Sequence, residues 1–370
     1  MRCYGDKPKS FMSKVPGGML PVIELDGRVV KESNVIMSLL EEKFPEHRPL
    51  MPPKGTRERL RAEALMKLER QFFSDWLGWL CNGWDDAGNR RKFESTLTLV
   101  SKEMEAVGGG PYFMGQDISL VDITFTPMLE RAAASLAYYK GYYMRGQGRW
   151  PAIDRWFDAM EQRDTYMGTR SDYYTHCHDL PPQLGGCEMN SDGKAVSAML
   201  DGRDGRSWHL PLPPLNASSV PEPYSRGEHP DRDRLQAAAK LITNREAVIK
   251  FGLRGPGQTE PRTVSAPLCD PTAFPAMEYE ASMDAALRIA AHALLVGTDA
   301  HMVSEHGIKV STAQNGSNMS GAHPTTPAIS GAEYMRDRVC VPRDLPYPAA
   351  RQFRAHMNWL IDQMKQNGQK

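Results

Sequence analysis

The stretch Pro16-Gly17-Gly18-Met19-Leu20-Pro21-Val22-Ile23-Glu24-Leu25-Asp26-Gly27-Arg28-Val29-Val30-Lys31-Glu32-Ser33-Asn34-Val35-Ile36-Met37-Ser38-Leu39-Leu40-Glu41-Glu42-Lys43-Phe44-Pro45 decides how the first part of this chain folds. Leu20 to Leu25 reads as a short strand entered through Pro21. Asp26-Gly27 reads as a hairpin turn, because a two-residue turn needs positive φ at both centres and Asp-Gly tolerates it. Arg28 to Lys31 is the returning strand. Glu32-Ser33 then opens a helix whose Val35, Ile36, Leu39 and Leu40 fall at helical spacing, and Phe44-Pro45 closes it. Taken alone, Ser33 is simply a helix N-cap after a hairpin.

With Lys7-Pro8 upstream, this strand–turn–strand–Glu-Ser–helix order resembles the second half of the glutathione transferase N-terminal, thioredoxin-like domain. The ungapped run from Lys7-Pro8 through Leu20-Pro21-Val22 is similar to the omega-like and dehydroascorbate-reductase-like members. The resemblance implies a cis Pro21. It implies that backbone at Leu20, Pro21 and Val22 pairs with the cysteinyl part of glutathione, that Glu32 and Ser33 take the γ-glutamyl end, and that Lys7 reaches the glycine carboxylate. The chemistry is reasonable: a helix start offers unpaired N–H groups and partial positive charge to a carboxylate, and Glu32 can meet an α-ammonium in a charge-assisted bond. A solvated surface lysine is the plain alternative for Lys7.

The same resemblance implies a β-α-β half before the hairpin, of which only the end of one strand, Met1 to Tyr4, would be present. A bare hairpin on one helix is marginal and leaves a strand edge open. The chain therefore reads as a fragment whose Met1 is internal, with a genuine short form as the alternative. The family's activating Cys, Ser or Tyr lies in that earlier half, so no catalytic residue is carried over onto this chain. Cys3 does not take that place.

The 370 residues carry 45 basic and 45 acidic side chains, a net charge of zero. That balance gives no electrostatic footprint for nucleic acid or an anionic membrane. There is no apolar run long enough for a membrane span and no signal-peptide core at the start. The six cysteines, Cys3, Cys81, Cys177, Cys187, Cys269 and Cys340, are widely scattered and read as reduced thiols of a cytoplasmic protein.

Beyond a Pro-rich linker, Thr56 to Leu80 is a long helix with Leu60, Ala64, Leu68, Phe72, Trp76 and Trp79 or Leu80 on one side. Asp85 to Val107 is a second, with Phe93, Leu97, Leu99, Val100 and Met104. Ser119 and Asp122 form a capping pair before an apolar run. Phe113-x-Gly115 before them, and Pro127 and Arg131 after, also resemble the transferase C-terminal domain. Trp150-Pro151 starts a further helix, and the domain closes near residue 180.

The expected fold is mainly α with a small α/β part. The divisions are 1–50, a partial thioredoxin-like domain; 55–180, an all-α domain; 181–230, a Pro/Gly-rich linker; and 231–370, a helical extension of unassigned role. Arg232 to Leu253, Met277 to Val296 and Pro348 to Met364 are its helices, separated by long loops at Gly255 to Pro275 and Gly297 to Pro346. His176-Cys177-His178 with Cys187, and His301 and His306 beside Asp299 and Glu305, are weak metal-like clusters that read as surface loops, so no metal is expected. The resemblance implies a glutathione-binding transferase or thioltransferase, in redox or detoxification work, acting on an electrophilic or disulfide substrate and open to homodimer formation. The alternative is a non-catalytic binding or scaffold protein wearing the same fold.

Overall fold

A computed structural model of the chain describes residues 7–106, 108–216, 221–223, 229–258, 270, 273–298 and 326–367. Cys3, Cys269 and the His301–His306 cluster lie outside the described residues. The fold is mainly α with a small α/β part. Its contacts divide into two compact units, Met1–Met167 with Gly186–Gly193, and Gly168–Gly185 with Lys194–Lys370.

The first unit begins with α1 (Lys9–Lys14), β1 (Val22–Leu25), β2 (Arg28–Lys31) and α2 (Ser33–Lys43). The strands pair antiparallel, Val22 opposite Lys31 through Leu25 opposite Arg28. Asp26 and Gly27 hold φ of 51° and 73°, the double positive that a tight turn between twisted strands requires. The helices α3 (Arg57–Leu80), α4 (Asp86–Glu105), α5 (Leu120–Lys140), α6 (Pro151–Glu161) and the short α7 (Asp164–Met167) follow. Thr56 caps α3, its hydroxyl accepting from the Arg59 amide at 3.1 Å, and Asp85 caps α4 by accepting from Gly88 at 3.1 Å.

The C-terminal half of α3 buries the expected Phe72, Trp76, Trp79 and Leu80, but its N-terminal half does not follow the expected Leu60, Ala64 and Leu68. Leu60 is 65% exposed, and the face runs through Ala62, Leu65, Glu69, Phe72, Asp75, Trp76 and Trp79. Glu69 and Asp75 are the cause of the difference. A stripe with two carboxylates scores as surface in a hydropathy pattern, yet Glu69 is bound by Arg70 and Asp75 accepts from Thr96 at 2.7 Å and pairs with Lys92 at 2.9 Å. The second half of α5, Ala132 to Lys140, is buried throughout, which makes α5 the central helix of the unit. Three indole N–H groups find acceptors around it: Trp76 on Ser135 at 3.0 Å, Trp79 on Asp86 at 2.9 Å and Trp156 on Asp122 at 2.9 Å. Buried Trp keeps its hydrophobic area only when its N–H is paired.

Asp122 collects most of this. Its fully buried carboxylate accepts from the Phe113 amide at 3.0 Å, the Ser119 amide at 2.8 Å, the Ser119 hydroxyl at 2.7 Å and the Trp156 indole at 2.9 Å. Ser119 is the N-cap of α5 and Asp122 its third residue. The same carboxylate therefore ends the preceding loop, starts α5 and anchors α6.

In the second unit, α8 (Tyr173–Leu184), α9 (Gly193–Leu200), α10 (Pro230–Thr243), α11 (Arg245–Gly252), a single 3-10 turn (Met277–Tyr279), α12 (Glu280–Val296), α13 (Thr326–Arg336) and α14 (Tyr347–Asn367) are helical. Several details differ from the sequence expectation. Residues 168–185 pack with this unit, whereas the sequence placed the end of the preceding domain near 180. The stretch read as a linker contains α9 and buries Trp208 and Glu222. His176-Cys177-His178, read as loop, lies on α8, where successive side chains diverge; Cys177 is buried and His178 meets Asp201 at 2.8 Å. The single helix expected over Arg232 to Leu253 breaks at Asn244, a residue whose side chain competes with helical hydrogen bonds.

Helix α13 sits where a loop was expected. A Cβ on Gly331 would stand 3.0 Å from the Gly252 carbonyl oxygen, and one on Gly255 only 2.4 Å from that of Ser330. Small residues here permit α11 and α13 to approach backbone to backbone. The apolar core gathers Leu241, Met283, Leu294, Phe353, Met357 and Leu360 among others.

Beside that core lies a buried ionic network. Arg354 bonds Asp172 at 2.6 Å, with side-chain exposures of 1% and 0%, and lies over the Tyr174 and Trp208 rings. Asp172 also caps α8 by accepting from Thr175 at 2.9 Å. Glu222 accepts from the Tyr173 amide at 2.9 Å and stands 3.4 Å from Arg170. Burial, reinforced by Asp172 and opposed by Arg170, pushes the Glu222 carboxyl up to about 8.

Two outcomes follow from this packing. Asp122→Ala is expected to destabilise the chain by about 3 kcal/mol or more, since its donors lose one charged acceptor in a dry core, and Ser119→Ala by about 1 kcal/mol; urea unfolding measures both, and equal small losses would contradict the network. For Glu222 the folded value lies above the unfolded one, so its stabilising contribution is complete below the ordinary Glu value and is lost as pH rises through about 8. Wild-type stability should fall relative to Glu222→Gln by at most about 1.4 kcal/mol per pH unit in that window, and parallel stability–pH curves would show that Glu222 is ionised throughout.

Candidate functional site

The register of the hairpin assembles most of the residues singled out in the sequence. Val22 is paired with Lys31, so the next residues outward, Pro21 on one strand and Glu32 on the other, reach the same end of the hairpin, with Leu20 and Ser33 following. The Leu20–Pro21 peptide is cis. Leu20 is 53% exposed and Met19 66% exposed, and Pro21, Glu32 and Ser33 are also exposed. Leu20, Pro21, Glu32 and Ser33 thus sit on an open surface, with Val22 half-buried beside them, at the point where β2 passes into α2.

Glu32, not Ser33, is the N-cap of α2. It holds φ 68° and ψ 116°, and no side chain caps the helix. Left-handed φ costs a residue with a Cβ about 1 kcal/mol or more, and the surrounding hairpin imposes it here. The Glu32 carboxylate pairs with nothing among the described residues. The result is a helix start with uncapped amide groups, flanked by an unpaired carboxylate and the Ser33 hydroxyl. Such a corner can take a carboxylate on the helix amides and an ammonium on Glu32, the two charges of an amino-acid end group.

Lys7 is placed differently. Its ammonium is turned back to the carbonyl oxygen of Gly18, which is buried and has φ 62°. The lysine thereby closes the loop between α1 and β1. A cavity of about 800 Å³ in the same unit is lined by Glu41, Pro45, Met51, Arg59, Glu63 and Met66, among others, and by none of the six candidate residues. Among the described residues no group of three His, Cys, Asp or Glu side chains is arranged to hold a metal ion, and no helix is long and apolar enough to cross a membrane.

One pairing had no signal in the sequence. Cys187, which the sequence grouped with His176 and His178, lies in Gly186–Gly193 of the first unit, where the Glu188 amide bonds the Leu80 carbonyl at 2.9 Å and brings Cys187 beside Cys81. Neither cysteine forms a disulfide. Nothing in their linear spacing suggests the contact; it depends on residues 186–193 returning to the end of α3.

Comparison with known proteins bears out the resemblance read from the sequence. Residues 3–48 match the model of the glutathione S-transferase N-terminal domain, and residues 61–159 that of the glutathione S-transferase C-terminal domain. The chain is 28% identical over 166 residues to glutathione S-transferase DHAR2 of Arabidopsis thaliana, covering 45% of this chain and 72% of that protein. It is 26% identical over 167 residues to the chloroplastic glutathione S-transferase DHAR3 of the same plant, and here it spans only 59% of the relative. Among solved structures it is similar to glutathione transferase Omega 3C of Trametes versicolor, at 26% identity, covering 44% of this chain and 71% of that one with a TM-score of 0.37.

Proposed function

The first part of this chain, through residue 159, belongs to the glutathione S-transferase family, and from that premise we propose that it binds glutathione at the hairpin end. The observation that carries the reading is the uncapped start of α2 beside an unpaired Glu32 carboxylate. The γ-glutamyl carboxylate would take the Ser33 hydroxyl and the first amides of α2, and Glu32 the α-ammonium. The backbone at Leu20, Pro21 and Val22 would pair with the cysteinyl residue as one more strand. Lys7 would leave the Gly18 carbonyl for the glycine carboxylate.

This constellation holds the peptide and does not activate its sulfur. None of the six residues bears a thiol, and the residue that lowers the pKa of bound glutathione is not among them. The activity we propose for the whole protein is transfer of glutathione to an electrophile, or thiol exchange with a disulfide substrate, in the manner implied by its dehydroascorbate-reductase-like relatives. The competing role, a binding protein that keeps the fold without turnover, predicts retention on glutathione-agarose with neither conjugation nor thiol transfer.

Calorimetric titration of the full chain with glutathione tests the site. Glu32→Ala and Ser33→Ala should each weaken binding about tenfold, a loss of about 1.4 kcal/mol. Lys7→Ala should weaken glutathione to a similar degree but leave γ-glutamylcysteine, which lacks the glycine carboxylate, unchanged. Equal affinity of wild type and all three variants would remove the site from the hairpin end.

A further inference from the structure

The end of α3 and the returning segment Gly186–Gly193 bring two thiols together in a way the hairpin site does not use. Cys81 is the C-cap of α3, its amide bonded to the Leu77 carbonyl at 2.9 Å. The carbonyl of the preceding Leu80 accepts the Glu188 amide at 2.9 Å. That backbone bond sets Cys187, one residue before Glu188, against Cys81, one residue after Leu80.

The segment is held at several points just after Cys187. Further along, the Asn190 amide bonds the Tyr139 carbonyl at 2.9 Å, and the Asn190 side chain reaches Asp86 at 3.4 Å while accepting from the amides of Asp192 and Gly193, each at 3.0 Å. Gly141 and Gly193 allow the close passage: a Cβ on Gly141 would lie 2.5 Å from the Asp192 carbonyl oxygen, and one on Gly193 2.4 Å from that of Tyr139. The two thiols are thus neighbours through a fixed backbone frame. Both are partly exposed, whereas Cys177 and Cys340 are buried.

We propose that Cys81 and Cys187 form a dithiol site that exchanges with low-molecular-weight disulfides and closes into an intramolecular disulfide. Cys81 is the attacking sulfur. Its thiolate attacks one sulfur of the small disulfide RSSR, forms a Cys81–S–S–R bond and expels RS⁻, which takes a proton. Cys187 then loses its proton to solvent, and its thiolate attacks the Cys81 sulfur and expels the second RS⁻, which is likewise protonated. In sum RSSR and two protein thiols give one protein disulfide and two RSH, with two electrons passing from the protein to the small disulfide. Excess RSH drives the reverse. This goes beyond the reading of the hairpin end and needs no bound glutathione there.

The electrostatics agree with the direction of attack. The hydrogen bond from Cys187 and the ammonium of Lys140 on α5, against burial and the neighbouring Glu188 carboxylate, bring Cys81 down to about 7. Asp86 on α4, which pairs with Lys140 at 3.1 Å, completes the charged groups around the site. Burial instead pushes Cys340 up to about 12 and Cys177 well above the ordinary thiol value, so these two serve as internal controls.

The test uses the reduced full chain, stoichiometric oxidised glutathione at pH 7, rapid alkylation and peptide mass mapping, repeated with hydroxyethyl disulfide. The expected product joins the peptides of Cys81 and Cys187 and reverts with dithiothreitol. Cys187→Ser should instead accumulate the mixed disulfide on Cys81, and Cys81→Ser should slow modification of Cys187 at least tenfold. Wild-type alkylation with limiting iodoacetamide, which needs no substitution, should mark Cys81 at least ten times faster than Cys340. Mixed disulfides in the wild type without the Cys81–Cys187 link, or Cys81 no faster than Cys340, would overturn the proposal. Because hydroxyethyl disulfide carries no glutathione, its reaction succeeds or fails independently of the hairpin site.

Discussion

The carboxylate of Asp122 is the interaction on which the first unit depends. A charge sealed from water is tolerated only when its lone pairs are occupied, and here backbone amides of two residues, a hydroxyl and an indole occupy them. The three donor residues belong to different pieces of local structure. Phe113 ends a loop and stacks on Phe125 with ring centroids 4.3 Å apart; Ser119 starts the central helix; Trp156 belongs to α6. The direction in which α5 leaves the loop, and the side on which α6 covers it, are therefore set by one side chain. The aromatic layer of Phe72, Phe93 and Phe125 then packs in the space this geometry leaves.

The second unit is held by a different principle. Its core mixes many alanines and methionines with Leu, Ile and Phe, and Gly252, Gly255 and Gly331 permit close backbone approach, but such apolar contacts offer little directional information. The buried Arg354–Asp172 pair supplies that direction. Breaking such a pair leaves an uncompensated charge in the interior, so the arrangement that satisfies Arg354 simultaneously with Asp172, the Val339 carbonyl and two aromatic faces is strongly selected over its alternatives. Glu222, raised by burial close to neutrality, belongs to the same compromise between packing and charge.

At the hairpin end, strain and exposure coincide. Glu32 adopts a left-handed backbone that turns β2 directly into α2, and the helix start that results is neither capped nor covered. Local structure thus leaves the first amides of α2 without a side-chain cap at the surface. The Cys81–Cys187 contact arises in the opposite way: the long-range return of residues 186–193 creates it, and local structure contributes only the end of α3.

The sequence by itself determined the elements whose signals are local. Asp-Gly between two apolar runs specified the hairpin and its register, because the turn has one compatible backbone. Ser119 and Asp122, three residues apart, marked the start of α5, and Leu20, Pro21, Val22, Glu32 and Ser33 were legible as neighbours at one end of the hairpin because a two-residue turn must bring the ends of its strands together. Only the tertiary structure decided what depends on partners distant in the chain. It showed that Glu69 and Asp75 lie inside α3's buried face, since a carboxylate is read as surface until its partners are known. It showed that Thr326–Arg336 is a helix where a loop was expected, since Gly331 lets its backbone lie against that of Gly252. It turned Lys7 back onto Gly18, and it joined Cys81 to Cys187. Hydropathy and spacing describe what each residue prefers next to its neighbours in sequence; burial of charge and close backbone approach are settled by neighbours in space.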